Sequence, residues 1–156
     1  MVDLASGLVH VEHQQHLNTH ETLTSLDAFE KMSLDHGVVP TNYISDSGTA
    51  FTSKEFRERL KDYRQIINFV GTSAHHHNAV AERAIRTIMS IARTMMMHCS
   101  THWPEMTDAT LWPLAVDYAV YIVQRVPDRD TGLSPLDVFT ATRQPLRRLH
   151  DLHVFG

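Results

Sequence analysis

The order of segments in this chain predicts an α/β fold. Three observations carry that reading. Short β-branched runs alternate with longer segments of helical period across the first hundred residues, in the order strand, helix, strand, helix, strand, then helices. Glycine and small polar clusters punctuate the alternation at Ala5-Ser6-Gly7, Gly37, Ser45-Asp46-Ser47-Gly48 and Gly71. The composition excludes the competing classes. With 156 residues, 42% of them apolar and 21% charged, the chain is the size of one ordinary domain and is not disordered overall. Its single cysteine, Cys99, excludes an internal disulfide framework and a multi-cysteine zinc module. No run approaches the length of a membrane span, and the first ten residues do not read as a secretory signal, so a soluble, intracellular protein is expected.

Each element has its own local cause. Leu8 to His13 carries Val9 and Val11 and reads as a short strand, with Met1 to Leu4 as the tail of a preceding one. Thr19 to His36 reads as a helix with Leu23, Leu26, Phe29, Glu30 and Leu34 facing inward and Gly37 as its stop. Val38 to Ser45 is extended. A second helix follows, with Thr52 and Glu55 as a capping box, Phe51 and Phe56 as the staple around it, and Phe56, Leu60 and Tyr63 as the inner stripe. Ile66 to Val70 is a short apolar strand, and Gly71 to His77 a polar loop. A long helix from Asn78 to Cys99 places Ala81, Ile85, Ile88, Ala92, Met95 and Cys99 on one face. Leu111 to Val126 is the next, with Leu114, Tyr118, Ile122 and Val126 inward. Ser134-Pro135 opens a short helix through Phe139, and Leu152 to Phe155 reads as a terminal strand.

The formal charge of -4 conceals a pattern. Residues 1–48 hold seven acids and one base, residues 49–98 eight bases and four acids, and residues 99–156 seven acids and five bases. A basic middle between acidic flanks can meet a polyanion locally, although Arg57 to Arg64 also reads as an ordinary solvated helix face.

Two carboxylates stand out within and beside that middle. Asp46 follows a strand and opens a turn, and Glu82 lies in the first turns of the long helix, with 35 residues between them. On that helix Asn78, Glu82, Arg86, Met89 and Arg93 fall within about 80° of one another, opposite the apolar face. Oxygen ligands of this kind suit hard divalent ions, and nearby guanidinium groups suit phosphate. The same residues also read as an i,i+4 surface pair and a turn former.

The wording of the motifs narrows this. Ser45-Asp46-Ser47-Gly48-Thr49-Ala50-Phe51 resembles the (T/S)-D-N-G-x-x-F motif of retroviral and retrotransposon integrases, and Asn78-Ala79-Val80-Ala81-Glu82-Arg83 resembles their N-G-V-A-E-R motif. The interval matches their D-x35-E spacing. His102-Trp103-Pro104, Trp112, Tyr118-Ala119-Val120-Tyr121, Ser134-Pro135 and the closing Leu152-His153-Val154-Phe155-Gly156 look like the downstream part of copia-type (Pseudoviridae-like) elements. The resemblance is therefore to a copia-type retrotransposon integrase catalytic core, as a piece of a polyprotein, and it covers essentially the whole chain.

That resemblance implies an RNase H-like fold, a mixed sheet flanked by helices, with residues 1–100 as a truncated catalytic core and residues 101–156 as its helical extension. For the intact family domain it implies DNA integration by two-metal strand transfer at a phosphodiester, with Mg2+ or Mn2+ as cofactor; this chain alone is expected to be inactive and to bind metal weakly or not at all. Asp46 and Glu82 would be catalytic and metal-binding, and Asn78, Arg83, Arg86 and Arg93 would contact DNA. The partners implied are element and target DNA, with self-association and no membrane, in a nucleus or a cytoplasmic virus-like particle. Ala5-Ser6-Gly7 matches the turn between the second and third strands of such a core. The chain is then expected to begin inside strand two, without strand one and its catalytic Asp, and Asp3 does not replace that residue. The runner-up is a catalytically inactive remnant that binds DNA weakly or self-associates. Ala79 and Ser47 depart from the usual Gly and Asn of the two motifs.

Other residues read more plainly. His75, His76 and His77 suit a solvated loop better than a metal site, and His10, His13, His16 and His20 share no face. His98-Cys99-Ser100-Thr101-His102 offers two or three ligands, but Cys99 continues the apolar stripe. Met95 to Met97 read as helix packing, and Trp103 and Trp112 as core or helix-joint residues.

Overall fold

The computed structural model describes residues 1–70, 79–143, 152, 153 and 155. The chain divides into two compact units: Glu12–Ala81, and Met1–Val11 together with Glu82–Gly156. In chain order the elements are helix α1 (Thr19–Asp35), strand β1 (Asn42–Ser45), helices α2 (Thr49–Thr52) and α3 (Lys54–Asp62), strand β2 (Ile66–Phe69), and helices α4 (Ala79–His102), α5 (Trp112–Arg125) and α6 (Pro135–Thr140).

The unit of residues 12–81 is built on a strand–helix–strand crossover. β1 and β2 run parallel, with Asn42 opposite Ile66 and Ser45 opposite Phe69, so the connection through α2 and α3 must return the chain to the same end. Helix α1 starts at Asn18, whose side chain accepts from the Glu21 N–H at 2.8 Å. It ends as the sequence predicts. Gly37, at φ +75°, donates to the Leu34 carbonyl while Val38 donates to that of Ser33, the paired bonds of a left-handed glycine stop.

The inward face of α1 differs from the apolar reading. Leu34 is 57% exposed, whereas Thr22, Ser25, Leu26, Phe29, Glu30 and Ser33 are buried. The small hydroxyls can be buried because each donates to a carbonyl four residues back: Thr22 to Asn18, Ser25 to Glu21, Ser33 to Phe29. Leu26, Phe56 and Leu60 form the apolar cluster of this unit, joined by Leu23, Tyr43, Phe51 and Ile67.

Helix α3 also departs from its expected start. Ser53, not Thr52, is the cap: its hydroxyl accepts from the Phe56 N–H at 3.2 Å. The Thr52 hydroxyl turns back to the Gly48 carbonyl within α2. The expected pairing of Phe51 with Phe56 survives the shift, as an edge-on contact at 5.5 Å. Tyr63 is 65% exposed rather than inward, held against the Arg59 guanidinium 4.0 Å from its ring.

That guanidinium is not solvated surface. Arg59 donates to Glu30 through both terminal nitrogens, at 3.1 and 2.6 Å, to Asp27 at 2.5 Å and to Gln65 Oε1 at 2.7 Å. Gln65 Nε2 donates in turn to Glu30 at 2.7 Å and to the Pro40 carbonyl at 3.1 Å, and the Tyr43 hydroxyl donates to Glu30 at 2.5 Å. One buried carboxylate thus ties α1, β1, α3 and the entry to β2.

In the other unit, Val2 and Val9 form one antiparallel bridge around the Ala5-Ser6-Gly7 turn. The Asp3 carboxylate is committed to that turn, accepting from the Ser6 N–H at 2.8 Å and the Ser6 hydroxyl at 2.5 Å. The expected strand from Leu8 is therefore limited to a single bridge residue. Val9 joins Ile88, Ala92, Ala115, Val116, Ala119 and Val120 in the core. Helix α4 buries Ile88, Ala92 and Cys99 as expected, but Ile85 is 61% exposed. Helix α5 turns a different face inward from the expected one. Ala115, Val116, Ala119 and Val120 are buried, while Leu114 and Val126 are exposed, so small alanines rather than the larger residues line the core. Met96 and Trp112 pack against the cluster, whereas Met97 and Trp103 are exposed. Helix α6 has the Ser-Pro start the sequence predicts, completed by a reciprocal Ser134–Asp137 capping box. Leu152, His153 and Phe155 are not in a strand; the Tyr118 hydroxyl donates to the His153 carbonyl at 2.6 Å and Phe155 lies against the core. Val154 lies outside the described residues. No helix among the described residues is long and apolar enough to cross a membrane.

The charge network gives the first expected outcome. Burial alone raises the Glu30 carboxyl, but hydrogen bonds from Arg59, Tyr43 and Gln65 outweigh it and hold it below its ordinary 4.5. A carboxyl depressed in the folded state contributes stability above its unfolded value and loses it as pH falls through the folded one. Denaturant titrations should therefore show stability declining below about pH 4.5. Burial and the bond to Glu30 raise the Tyr43 phenol, so stability should also fall as pH rises past the ordinary phenol value of 10. Arg59→Ala should cost about 3 kcal/mol, because it strands a buried carboxylate, and Glu30→Gln should flatten the acid limb.

Candidate active site

Asp46 is placed by the end of β1. The strand terminates at Ser45, and the Asp46 side chain closes a turn by accepting the Gly48 N–H at Oδ1, 3.2 Å away. Among the described residues its other oxygen makes no hydrogen bond, and the residue is exposed. The turn leads into α2, whose Phe51 ring is anchored edge-on against the buried Phe56. The apolar cluster of the 12–81 unit thereby fixes the frame on which Asp46 stands.

Gly48 is the tight point of that frame. A Cβ added there would come within 3.1 Å of Asp46 Oδ1 and 3.4 Å of Phe51 Cδ2. Its backbone is at φ -55°, which any residue adopts, so the constraint is space and not conformation. Sequence reading selects Gly48 as part of a turn motif but gives no sign that it leaves room for the carboxylate.

Glu82 stands in the first turn of α4 and is exposed, as are Arg83, Arg86 and Arg93. The burial of Ile88, Ala92 and Cys99 sets the roll of the helix and turns the Glu82, Arg86, Met89 and Arg93 face outward. Glu82 and Arg86 form no ion pair with each other or with any described residue. Asn78 and His75, His76 and His77 lie outside the described residues. Asp46 belongs to the 12–81 unit, and Glu82 opens the stretch of α4 assigned to the other.

As metal donors, the two carboxylates are of the right chemistry for a hard ion. Asp46 has one oxygen uncommitted and Glu82 has both. Among the described residues no group of three or more His, Cys, Asp or Glu side chains is gathered to hold an ion. Each carboxylate taken by itself is an oxygen donor of the kind a hard ion accepts.

No protein-family model matches the sequence. The chain is similar to solved structures of one class of protein. Against the HTLV-2 integrase catalytic core domain in complex with magnesium, in its dimeric form, the TM-score is 0.66 at 19% identity, over 88% of this chain and 79% of that one. The trimeric form gives 0.68 at 19% identity, over 88% and 80%. The simian T-cell lymphotropic virus intasome in complex with PP2A regulatory subunit B56 gamma gives 0.67 at 18% identity, over 92% of this chain and 48% of that one. The fold is thus the RNase H-like fold of integrase catalytic cores, represented among the described residues by one parallel strand pair and the helices around it.

The Gly48 contact generates a specific expectation. Gly48→Ala should displace the Asp46 carboxylate while leaving the apolar cluster intact. Its melting temperature should stay within a few degrees of the parent, with a changed Asp46 side-chain resonance by NMR. A marked loss of stability would mean that Gly48 serves packing and not the placement of Asp46.

Proposed function

We propose that this chain is the catalytic-core portion of a copia-type retrotransposon integrase, acting in DNA integration. The observation that carries the reading is the D-x35-E pair in its two motif contexts, Ser45 to Phe51 and Asn78 to Arg83, on a chain with the integrase-core fold. Residues 1–100 would form the core and residues 101–156 its helical extension.

In this reading Asp46 and Glu82 hold Mg2+ or Mn2+, the ions suited to their oxygens. Such ions, when bound, activate a water or a DNA 3′-hydroxyl and stabilise the leaving oxygen at a phosphodiester. The turn at Gly48 holds Asp46 in place against recoil when the scissile phosphate enters. Arg86 and Arg93, one face of α4 with Glu82, bind flanking phosphates, and Arg83 and Asn78 add contacts beside them. The Arg side chains orient the backbone without reading bases, so binding is sequence-independent. Self-association would bring two such units to two DNA ends, within a nucleus or a virus-like particle.

The experiment is a strand-transfer assay with labelled duplex ends, in Mg2+ and in Mn2+, run beside a DNA-binding titration. In a chain that also carries the first catalytic Asp, Asp46→Asn and Glu82→Gln should each lower joining by about a thousandfold, equivalent to ~4 kcal/mol of barrier, with little change in melting. Arg83, Arg86 and Arg93 changed together to Ala should weaken DNA binding and reduce its salt slope by about 2 to 3. The commitment of the Asp3 carboxylate to its own turn favours a second reading, an inactive remnant that binds DNA weakly or self-associates. Salt-sensitive binding with no joining in either metal would select it.

A further inference from the structure

At the carboxyl end of α4, away from the acidic pair, His98 and His102 lie one helical turn apart. Their rings stack with centroids 4.0 Å apart and planes 22° apart. Trp103 flanks both, at 5.8 and 5.7 Å. Cys99 takes no part in this group. It is buried in the core, and its sulfur accepts from the Thr107 hydroxyl at 3.1 Å.

The protonation pattern of the pair is legible from its contacts. His102 Nδ1 lies 3.0 Å from the His98 carbonyl oxygen. A carbonyl only accepts, so this nitrogen donates, and in the neutral ring Nε2 then carries the lone pair. A backbone carbonyl on the far nitrogen is the orienting contact that metal-bound histidines use. His98 Nδ1 is buried and, among the described residues, has no hydrogen-bond partner. An unsatisfied buried ring nitrogen is destabilising and needs a reason.

We propose that His98 and His102 form a two-imidazole chelate for a borderline divalent transition ion: Zn2+, Ni2+ or Cu2+. Helical residues four apart have Cβ atoms about 5–6 Å from each other, within the span of two imidazoles on one ion with bonds of about 2.0–2.1 Å. Both rings already occupy one side of the helix, and rotation about their side-chain torsions lets the lone pairs converge. The ion replaces the ring stack and satisfies His98 Nδ1. Imidazole selects these ions over Mg2+, so the site is chemically distinct from the Asp46 and Glu82 carboxylates. The spacing is that of two-histidine helical zinc sites, but the residue after His98 is the buried Cys99 and not Glu, so the site binds metal without a built-in hydrolytic base.

The test is a Cu2+ titration of the full 156-residue chain, followed by calorimetry and by tryptophan fluorescence, because a paramagnetic ion beside Trp103 quenches it. The H75A/H76A/H77A variant serves as the parent, which removes the other histidine cluster. This parent should take up one equivalent with saturable quenching that a large excess of Mg2+ does not reverse. His98→Ala and His102→Ala should each weaken uptake at least about tenfold, and His102→Gln, a milder change at an exposed position, should do the same with unchanged circular dichroism. Trp103→Phe should keep the heat of binding and lose most of the quenching. The absence of saturable uptake in the parent, or affinity and stoichiometry untouched by the paired histidine substitutions, would overturn the proposal, as would displacement by Mg2+.

Discussion

The bond between Glu30 and Arg59 is the constraint on which the 12–81 unit depends. Glu30 is 7% exposed, and a bare carboxylate at that depth would cost several kcal/mol. It is tolerated because Arg59, Tyr43 and Gln65 meet it from three other segments. Satisfying one charge therefore fixes the mutual placement of a helix, a strand, a second helix and the start of a second strand. The apolar cluster of Leu26, Phe56 and Leu60 supplies area but little direction, since burial is non-directional. The charge network supplies the direction. It also explains why Tyr63 is exposed: its ring covers the outer side of the Arg59 guanidinium instead of entering the core.

The position of Asp46 follows from that frame. The network holds β1 through Tyr43, and β1 ends one residue before Asp46. The turn then closes on Gly48, whose lack of a side chain leaves the carboxylate its place, and Phe51 locks the far side of the turn against Phe56. An exposed acidic residue is in this way held on a rigid support, which catalysis and metal binding both require. On α4 the support is different. The depth of Ile88, Ala92 and Cys99 fixes the roll of the helix, and Glu82, Arg86 and Arg93 face outward as a consequence. Among the described residues, Glu82 and Arg86 on that face form no ion pair with each other.

Short motifs and glycine stops were readable because their physics is local. The Gly37 stop, the Ser-Pro opening of α6, the Ala5-Ser6-Gly7 turn and the pairing of Phe51 with Phe56 each involve residues within a few positions of one another. The α/β order was legible for the same reason, and it agrees with the integrase-core fold. The inward faces of α1 and α5 were not legible. Thr22, Ser25 and Ser33 look polar in a sequence, yet each satisfies its hydroxyl on its own helix and is then free to be buried. Ala115 and Ala119 look weaker than Leu114 as core residues, but the core at α5 is lined by small residues.

The sequence by itself determined the alternation of elements, the carboxylates Asp46 and Glu82 with their motif contexts, and the outward face of α4 that carries Glu82, Arg86 and Arg93. Those depend on spacing along one chain segment, which periodicity and motif wording report directly. Only the tertiary structure decided that Arg59 is a half-buried clamp and not part of a solvated basic face, that Gly48 makes room for Asp46, and that His98 and His102 stack while Cys99 turns into the core. Glu30 and Arg59 are 29 residues apart in sequence. No local pattern links such a pair, because what joins them is the cost of leaving a charge unpaired once folding has removed the water around it.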